Sequence, residues 1–376
     1  MMKFIFPDFN KNILNVSATL LEYLGIESEY GKITFLENEL KKKYQNVILL
    51  VVDGLGVKVL NDNLDSNAFL RKNQLETITS VFPSTTTNAT MTLRTATPPS
   101  EHGWLGWALN FQDEKKIVEI FLNQEYYTKE VLSKGFSEKR LPFRPFYLKN
   151  GIRADIQIYT ALPPYITDNQ IDNNYVHYET KELFDNLNKI CQKEGNKFIY
   201  AYLDEPDKGM HLYGTKSLYA RQKLEQINQL TEEFISKNPN TLLIITADHG
   251  HIDIEGYIEI YKDQAILACM AEKFSLEPRA CAFHLKPGFE QQFLTAFKKY
   301  QQDFELFKTS DLIERGVFGD EIKVKQRSFL GDYIAVGKET NKILLFKPDA
   351  NRFVGHHTGL TKAEMDLPLI VVKKGG

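Results

Sequence analysis

Two apolar segments that end in an acidic residue and a glycine constrain the fold most strongly. The first, VILLVVDGLG, covers residues 47–56, and the second, TLLIITADHG, covers residues 241–250. An unbroken run of apolar and β-branched residues is typical of a strand whose two faces are both covered, as in a parallel sheet. Residues that follow such strands lie at the carboxyl edge, where open α/β sheets hold ligands. Asp53, Asp248 and His249 are therefore predicted to meet at one edge of a sheet.

The composition indicates an ordinary globular protein. The 376 residues are 43% hydrophobic and 25% charged, and 46 basic against 49 acidic residues give a net charge of −3. This balance gives no reason to expect a nucleic-acid-binding patch or an anionic membrane as partner. No segment approaches the ~20 apolar residues needed to span a bilayer. We expect one α/β domain over residues 1–376, with loops and small elements at 104–155. A small inserted α+β subdomain with a lid-like role is predicted over residues 262–345, where the strand–helix alternation breaks.

The cysteines and the N-terminus indicate a cytoplasmic protein. Cys191, Cys269 and Cys281 are scattered, contain no CxxC pair and are most simply free thiols in a reducing compartment. The N-terminal segment MMKFIFPDFNKN has too short an apolar run for a signal peptide, because Pro7 and Asp8 interrupt it. We therefore expect a cytoplasmic location; the oligomeric state stays open.

A hydroxyl-rich segment follows the next predicted strand. Residues 82–93, FPSTTTNATMTL, indicate a strand-to-helix turn with a helix N-cap. A helix start offers free backbone N–H groups and a positive dipole end, which suit a phosphate or a developing oxyanion. Serine and threonine also cap many helices that bind nothing, so this segment alone does not decide between the two interpretations.

Three carboxylates and three imidazoles lie near the ends of predicted strands. Ligation by oxygen and nitrogen without thiolates favours a catalytic transition metal such as zinc, and six ligands suit two ions better than one. Two ions roughly 3.5–4 Å apart can hold the attacking and leaving oxygens of a phosphoryl transfer. Each of these short motifs, taken alone, has a simpler interpretation, namely a turn, a surface ion pair or a loop histidine. The candidate ligands are Asp53, Asp207, His211, Asp248, His249 and His357.

Taken together, these motifs resemble the alkaline phosphatase superfamily, and within it the nucleotide pyrophosphatase/phosphodiesterase branch. The resemblance covers residues 46–372, with the motifs in the family's order. It implies a three-layer α/β/α sandwich with a mostly parallel central sheet. The segments that carry it are Asp53-Gly54, FPSTTTNATMTLRTATPPSEHG (82–103), EPDKGMH (205–211), ADHG (247–250) and HHTGLTKAEMDLPLIV (356–371).

The resemblance also implies the roles of individual residues. Two divalent metal ions are expected, most simply Zn²⁺, with Mn²⁺ as the alternative. One ion would be held by Asp207, His211 and His357, and the other by Asp53, Asp248 and His249. The position after F-P-S-x points to Thr86 as the nucleophile, with Thr85 and Thr87 as the competing hydroxyls. The implied reaction is hydrolysis of a phosphodiester or phosphoanhydride bond through a phospho-threonine intermediate, on a small-molecule phosphodiester or nucleotide substrate.

The sequence departs from the family pattern in two places. Met210 stands where the family often has a glycine before the second ligand histidine. Trp107 stands near the place of a phosphate-holding asparagine, with Asn110 three residues further on, so these two residues are the substrate-binding candidates. No arginine adjoins Thr86 in sequence, which favours diesters over monoesters. Arg279 is more typical of an ordinary surface cation than of a phosphate ligand.

Four other functions compete with this interpretation. A phosphomonoesterase or a phosphonate hydrolase of the same superfamily would use the same ligands. A sulfatase needs a C/S-x-P-x-R segment, which the sequence lacks. A non-catalytic binding protein is the alternative outside enzymes, and the complete ligand set argues against it.

Overall fold

The computed structural model describes residues 4–166 and 171–374, and within them two seven-stranded sheets dominate. The strands are β1 (Asn46–Val52), β2 (Gln74–Thr79), β3 (Ala108–Phe111), β4 (Lys116–Glu119), β5 (Gln124–Glu125), β6 (Ile156–Leu162), β7 (Asn174–Val176), β8 (Asn196–Leu203), β9 (Thr241–Thr246), β10 (Ile252–Asp253), β11 (Gly256–Ile258), β12 (Ser275–Glu277), β13 (Ala280–Phe283), β14 (Phe304–Lys308), β15 (Tyr333–Gly337), β16 (Lys342–Leu344), β17 (Gly355–His356) and β18 (Asp366–Lys374).

Short helices alternate with the strands of the first half, and the longest helix precedes β9. The helices are α1 (Ile13–Tyr23), α2 (Thr34–Leu40), α3 (Val57–Asn63), α4 (Phe69–Lys72), α5 (Thr86–Thr95), α6 (Pro99–His102), α7 (Phe136–Arg140), α8 (Thr180–Cys191), α9 (Asp207–Tyr213), α10 (Leu218–Lys237), α11 (Gln264–Cys269), α12 (Glu290–Phe297), α13 (Thr309–Glu314), α14 (Val324–Arg327) and α15 (Lys362–Met365).

The first sheet confirms the predicted α/β class with a mostly parallel sheet. Its strand order is β2-β18-β9-β1-β8-β6-β7. The strands from β9 to β7 run parallel, whereas β18 is antiparallel to both of its neighbours. In this order β1 lies at the centre, between the strands that carry the two other acidic motifs. The centre of the sheet thus collects the predicted ligands.

Helices cover both faces of the first sheet. All seven residues of β1 are buried, as the continuous apolar sequence predicts. One helix group packs α1 against α2 and α5, and a second group packs α10 against α3, α4, α8 and α9. Burying a Val, Leu or Ile side chain contributes about 1.5–3 kcal/mol, so this central strand anchors the core. Across residues 4–166 and 171–374, no helix has the length and hydrophobicity that crossing a bilayer requires.

The second sheet is antiparallel and combines two distant parts of the chain. Its order is β14-β15-β13-β12-β3-β4-β5. Residues 104–155, predicted to form loops and small elements, instead supply β3, β4 and β5. These join the strands of residues 262–345 through the pairing of Ala108 with Leu276. The predicted insert therefore does not build its sheet alone, and its lid-like role stays a prediction.

Strand register sets the position of the functional site. Val52 of β1 pairs with Leu203 of β8, and Val51 pairs with Thr246 of β9. Three neighbouring parallel strands therefore end at nearly the same level. The segments that follow them, which begin at Asp53, Asp204 and Ala247, leave the sheet side by side.

Candidate metal centre and its cavity

The turns after β1 and β9 hold their acidic side chains together. The backbone N–H of Gly54 donates to Oδ1 of Asp248 at 3.2 Å, and the N–H of His249 donates to the same oxygen at 2.9 Å. Gly54 has φ +72°, and a Cβ there would lie 3.2 Å from the Cα of Asp207. Only glycine fits this close approach without strain. The Asp-Gly sequence therefore serves to bring the β1 turn against the start of α9.

His249 is the centre of one group of side chains. Its Nε2 atom lies 3.3 Å from Oδ1 of Asp53 and 3.6 Å from Oδ2 of Asp248. The hydroxyl oxygen of Thr86 lies 3.1 Å from the same nitrogen. Asp53, Asp248 and His249 are all buried. Two carboxylates, an imidazole and a hydroxyl thus lie close together, and their role as ligands of the second metal ion stays a prediction.

Asp207 is the centre of the other group. Asp207 and His211 are one turn apart on α9, and His211 Nε2 lies 3.2 Å from Oδ2 of Asp207. His357 Nε2 lies 3.9 Å from Oδ1 of Asp207. One ligand atom from each of Asp207, His211 and His357 lies within 4.8 Å of the others, and the same holds for Asp53, Asp207 and His249. Asp207 therefore belongs to both groups, and the six predicted ligands form one cluster.

The backbone fixes the orientation of the three histidines. Nδ1 of His211 lies 2.9 Å from the carbonyl oxygen of Gly355, and Nδ1 of His357 lies 2.9 Å from that of Ser84. Nδ1 of His249 lies 3.0 Å from the carbonyl oxygen of Gly250. A carbonyl only accepts, so each Nδ1 carries the proton and donates. Nε2 is then the nitrogen of each ring that can bind a cation, which is the usual arrangement around metal-ligating histidines.

The cluster carries negative charge that no lysine or arginine offsets in the described part of the chain. Oδ1 of Asp53 and Oδ2 of Asp248 are buried and have no hydrogen-bond partner. Burial, followed by the charges of Asp248 and Asp207, raises the pKa of Asp53 well above its usual range. Burial also raises the pKa of Asp207, but the charges of His211 and His251 outweigh it and hold that pKa well below the usual range. Unpaired buried carboxylates next to free imidazole nitrogens fit divalent cations.

Among the three adjacent threonines, Thr86 faces the cluster. Thr85 is the N-cap of α5, and Thr86 is its first residue. Thr87 is fully buried, and its hydroxyl has no hydrogen-bond partner. The helix start places free N–H groups and a positive dipole end beside the Thr86 hydroxyl. The described geometry thus favours Thr86 among the three hydroxyls.

A large cavity opens over the cluster. Its volume is about 1070 Å³, near the upper end for small-molecule sites. Thr86, Asp53, Asp207, His211 and His357 lie at its floor. Aromatic, aliphatic, cationic and acidic side chains line the rest, which suits a ligand with an apolar part and a polar part. The main ones are Trp107, Tyr126, Tyr165, Phe346, Arg94 and Lys208.

The two predicted substrate-binding residues, Trp107 and Asn110, lie in different surroundings. Trp107 lines the cavity, and its ring N–H donates to Oε1 of Glu119 at 3.3 Å. Asn110 is not among the residues that line the cavity, so its role in substrate binding stays a prediction that this cavity does not support. It is buried in β3 opposite Ile117 of β4, because the segment forms a strand of the second sheet rather than a loop.

Sequence reasoning missed several residues that support the site. The Tyr202 hydroxyl of β8 donates to Oδ2 of Asp53, and His251 Nε2 lies 3.2 Å from Oδ1 of Asp207. His251 stands two residues after a predicted ligand, which was an available signal. Glu277 lines the cavity from β12, and nothing in its local sequence marked it. Only the pairing of β12 with β3 brings Glu277 to the cavity.

Comparisons with known proteins agree with this geometry. Residues 47–358 match the family model described as type I phosphodiesterase / nucleotide pyrophosphatase. The comparison with curated proteins finds no match.

Solved structures of similar fold include two enzyme classes. Murine ectonucleotide pyrophosphatase / phosphodiesterase 5 is similar with a TM-score of 0.66 at 18% identity, over 89% of this chain and 88% of that chain. An inactive variant of the same murine protein, in complex with AMP, gives a TM-score of 0.64 at 16% identity, over 88% of each chain. Phosphonoacetate hydrolase from Sinorhizobium meliloti 1021, in complex with phosphonoformate, gives 0.64 at 16% identity, over 88% of this chain and 90% of that chain.

The family match spans both acidic turns, the threonine helix and the His357 loop. It therefore contains every side chain of the cluster described above, and the similar structures share the fold that positions them. The chain thus belongs to the type I phosphodiesterase / nucleotide pyrophosphatase family and is a hydrolase of phosphoester bonds, with Asp and His side chains that could hold metal ions.

Proposed function

We propose that the protein is a phosphodiesterase or nucleotide pyrophosphatase that uses Thr86 as nucleophile and two divalent metal ions. The observation that carries this proposal is the position of the Thr86 hydroxyl, 3.1 Å from His249 Nε2 and beside the unpaired carboxylates of Asp53 and Asp248. A hydroxyl in such a cluster is suited to nucleophilic attack, because a cation held there lowers its pKa.

The ligand residues divide between two ions. Asp207, His211 and His357 would hold one ion, and Asp53, Asp248 and His249 the other, with Asp207 close to both. Zn²⁺ is the proposed metal, since the donors are carboxylates and imidazoles without thiolates, and Mn²⁺ is the alternative. When bound, such ions lower the pKa of a hydroxyl and neutralise charge on a phosphoryl group.

The protein's own groups then account for the two displacement steps. The Thr86 oxygen attacks phosphorus, the bond to the leaving alcohol or phosphate breaks, and a phospho-threonine forms. Water attacks the same phosphorus in the second step and releases the product and the Thr86 hydroxyl. The N–H groups at the start of α5 face the phosphoryl oxygens and stabilise the negative charge that develops on them.

The cavity supports a small phosphodiester or nucleotide as substrate. Its aromatic side chains offer surfaces for the group attached to phosphorus, and a structure of similar fold has been solved in complex with AMP. A phosphonate or phosphomonoester is the second candidate, favoured by the similarity to phosphonoacetate hydrolase. A cytoplasmic location is also proposed, supported by three buried cysteines that form no disulfide.

The test compares hydrolysis of bis-p-nitrophenyl phosphate with that of p-nitrophenyl phosphate. Metal-free protein is assayed with Zn²⁺ or Mn²⁺ added back, beside Thr86→Ala and the control Thr295→Ala, which removes an exposed hydroxyl on α12. We expect metal-dependent turnover of the diester that Thr86→Ala abolishes and Thr295→Ala keeps. Preference for the monoester would move the protein to the phosphatases, and failure to bind metal would overturn the mechanism.

A further inference from the structure

A buried carboxyl group lines the cavity outside the metal-ligand cluster. Glu277 ends β12, is 3% exposed and lines the same cavity as Thr86, His211 and His357. The backbone N–H of Trp107 donates to its Oε1 at 2.7 Å. The side chain of Thr85, the neighbour of Thr86, also lies close enough to this carboxyl to lower its pKa. Glu277 is thus held in place at the wall beside the proposed nucleophile.

Glu277 lacks the cation that its nearest acidic counterpart has. Glu119, on the other side of Trp107, is also buried, but Lys129 Nζ lies 2.7 Å and 2.8 Å from its two oxygens. No lysine or arginine nitrogen lies within 4 Å of Glu277 among residues 4–166 and 171–374. An unpaired carboxylate is costly to bury, so the surroundings favour the neutral acid.

The groups that face Glu277 agree with this protonation state. Burial raises its pKa to about 7, although the side chain of Thr85, the N–H of Trp107 and the charge of His211 lower it. Tyr126 faces it from the segment after β5, and the charge of Glu277 in turn raises the pKa of that phenol. A phosphoryl group bound beside Thr86 would add negative charge and favour the neutral acid further.

We propose that Glu277, in its neutral form, donates a hydrogen bond from Oε2 to a non-bridging oxygen of the substrate's phosphoryl group. Trp107 donates to Oε1, so the proton of the neutral acid belongs on Oε2. An ionised Glu277 would repel the same oxygen, so the residue also selects against substrates or conditions that leave it charged. This inference rests on the proposed function, because it requires a phosphoryl group beside Thr86.

Two substitutions of Glu277, one that keeps a hydrogen-bond donor and one that removes it, test the proposal. Glu277→Gln keeps the shape and a permanent donor, Glu277→Ala removes both, and Glu305→Ala is a matched control on β14 of the same sheet, where the side chain is 45% exposed. We expect Glu277→Ala to lower kcat/KM for bis-p-nitrophenyl phosphate by about 10- to 100-fold, the effect of one hydrogen bond to a charged group. Glu277→Gln should stay within about 3-fold of the native protein at pH 6 and exceed it at pH 9.

A second measurement does not depend on turnover. Infrared difference spectra of the native protein against Glu277→Gln, recorded on addition of inorganic phosphate to the metal-loaded protein at pH 6, should show the carbonyl stretch of a protonated carboxylic acid. That Gln variant is also the safeguard if the Ala variant fails to fold. Absence of the acid band, equal losses in the Gln and Ala variants, or an unchanged Ala variant would each overturn the role of Glu277. Failure of the proposed function looks different, since the native protein itself would then hydrolyse no phosphate ester.

Discussion

The hydroxyl oxygen of Thr86 lies 3.1 Å from Nε2 of His249. The contact joins the first residue of α5 to the turn after β9, two elements 163 positions apart in the chain. Because it places the hydroxyl inside the carboxylate cluster, it distinguishes Thr86 from Thr85 and Thr87.

This contact predicts where the phosphoryl group will be found. We expect Thr86→Ala to lose at least about 1,000-fold in kcat, and Thr86→Ser, which keeps a hydroxyl, to retain measurable turnover. Mass spectrometry of peptides from acid-quenched protein should locate the phosphate on residue 86. Phosphate on Thr85 or Thr87 instead would show that the nucleophile is misassigned.

The shared position of Asp207 predicts an unequal effect on metal binding. Asp207 belongs to both groups of three potential ligands, whereas Asp248 belongs to neither, and its Oδ2 lies 3.6 Å from Nε2 of His249. Asp207→Asn should therefore reduce the bound metal below one ion per chain, and Asp248→Asn should leave about one. Metal content after dialysis, measured by mass spectrometry, checks this. Equal losses in the two variants would contradict the shared role.

Metal binding should also stabilise the folded protein, because the cluster exists only when the chain is folded. A ligand at 100 times its Kd stabilises by about 2.7 kcal/mol per site. We expect the unfolding midpoint of metal-free protein to rise on adding Zn²⁺, and to rise less in Asp207→Asn. If adding Zn²⁺ does not change the unfolding midpoint of the native protein, the result would argue against a formed metal site.

A buried ion pair supports the loop that carries His357. Nε of Arg279 donates to Oε1 of Glu364 at 2.7 Å, and both side chains are fully buried. Glu364 also accepts from the N–H of Gly359 at 2.8 Å. Arg279 is therefore neither a surface cation nor a phosphate ligand. Its bonds link the second sheet to the loop of the metal cluster.

Removing one partner of this pair leaves an uncompensated buried charge. Arg279→Met should lower the free energy of unfolding by about 3–5 kcal/mol. The double variant Arg279→Met/Glu364→Leu should recover part of that loss, since no charge remains unpaired. Urea unfolding measures both values. Additive losses in the double variant would contradict the pairing.

Glu39 predicts a pH-dependent contribution to stability. Burial raises its pKa, but hydrogen bonds from Lys373, Lys42 and Tyr44 outweigh burial and lower the pKa to about 2. A depressed folded-state pKa stabilises above the unfolded value, here 4.5, and this stabilisation is lost as the pH falls toward 2. Since Lys42 and Lys373 are about half exposed, we expect on the order of 1–2 kcal/mol.

Glu39→Gln isolates this contribution. The variant should be less stable than the native protein at pH 7, and the difference should shrink steadily between pH 4.5 and pH 2. Urea unfolding curves across that range measure it. A difference that is independent of pH would show that packing, rather than charge, accounts for the effect.

Sequence patterns predicted the centre of the molecule because they act over short range. The apolar runs of β1 and β9 and the residues that end them specify buried parallel strands and their ligand edge. The i, i+4 spacing of Asp207 and His211 likewise places both side chains on one turn of α9. These local rules named six side chains that the structure brings together, and their role as metal ligands stays a prediction.

The second sheet was not predicted from the sequence, because its strands are short and some of their partner strands lie far away along the chain. β3 and β12 have four and three residues, and a single residue pair, Ala108 with Leu276, joins them. Strands of three or four residues are too short to show an alternation of apolar and polar residues in the sequence. The place of Asn110 in a strand was not predicted for this reason, and Glu277 was missed, since both positions depend on a pairing that the local sequence does not encode.

The long-range junction of the second sheet has a consequence for biosynthesis. Ala108 leaves the ribosome 168 residues before its partner Leu276, which at 5–20 residues per second is on the order of 10 to 30 s. During that interval the β3 edge has no strand to pair with, and its backbone groups remain open to other chains. Nascent chains stalled before residue 276 should therefore bind chaperones that recognise exposed strands, and release from them should coincide with the emergence of β12.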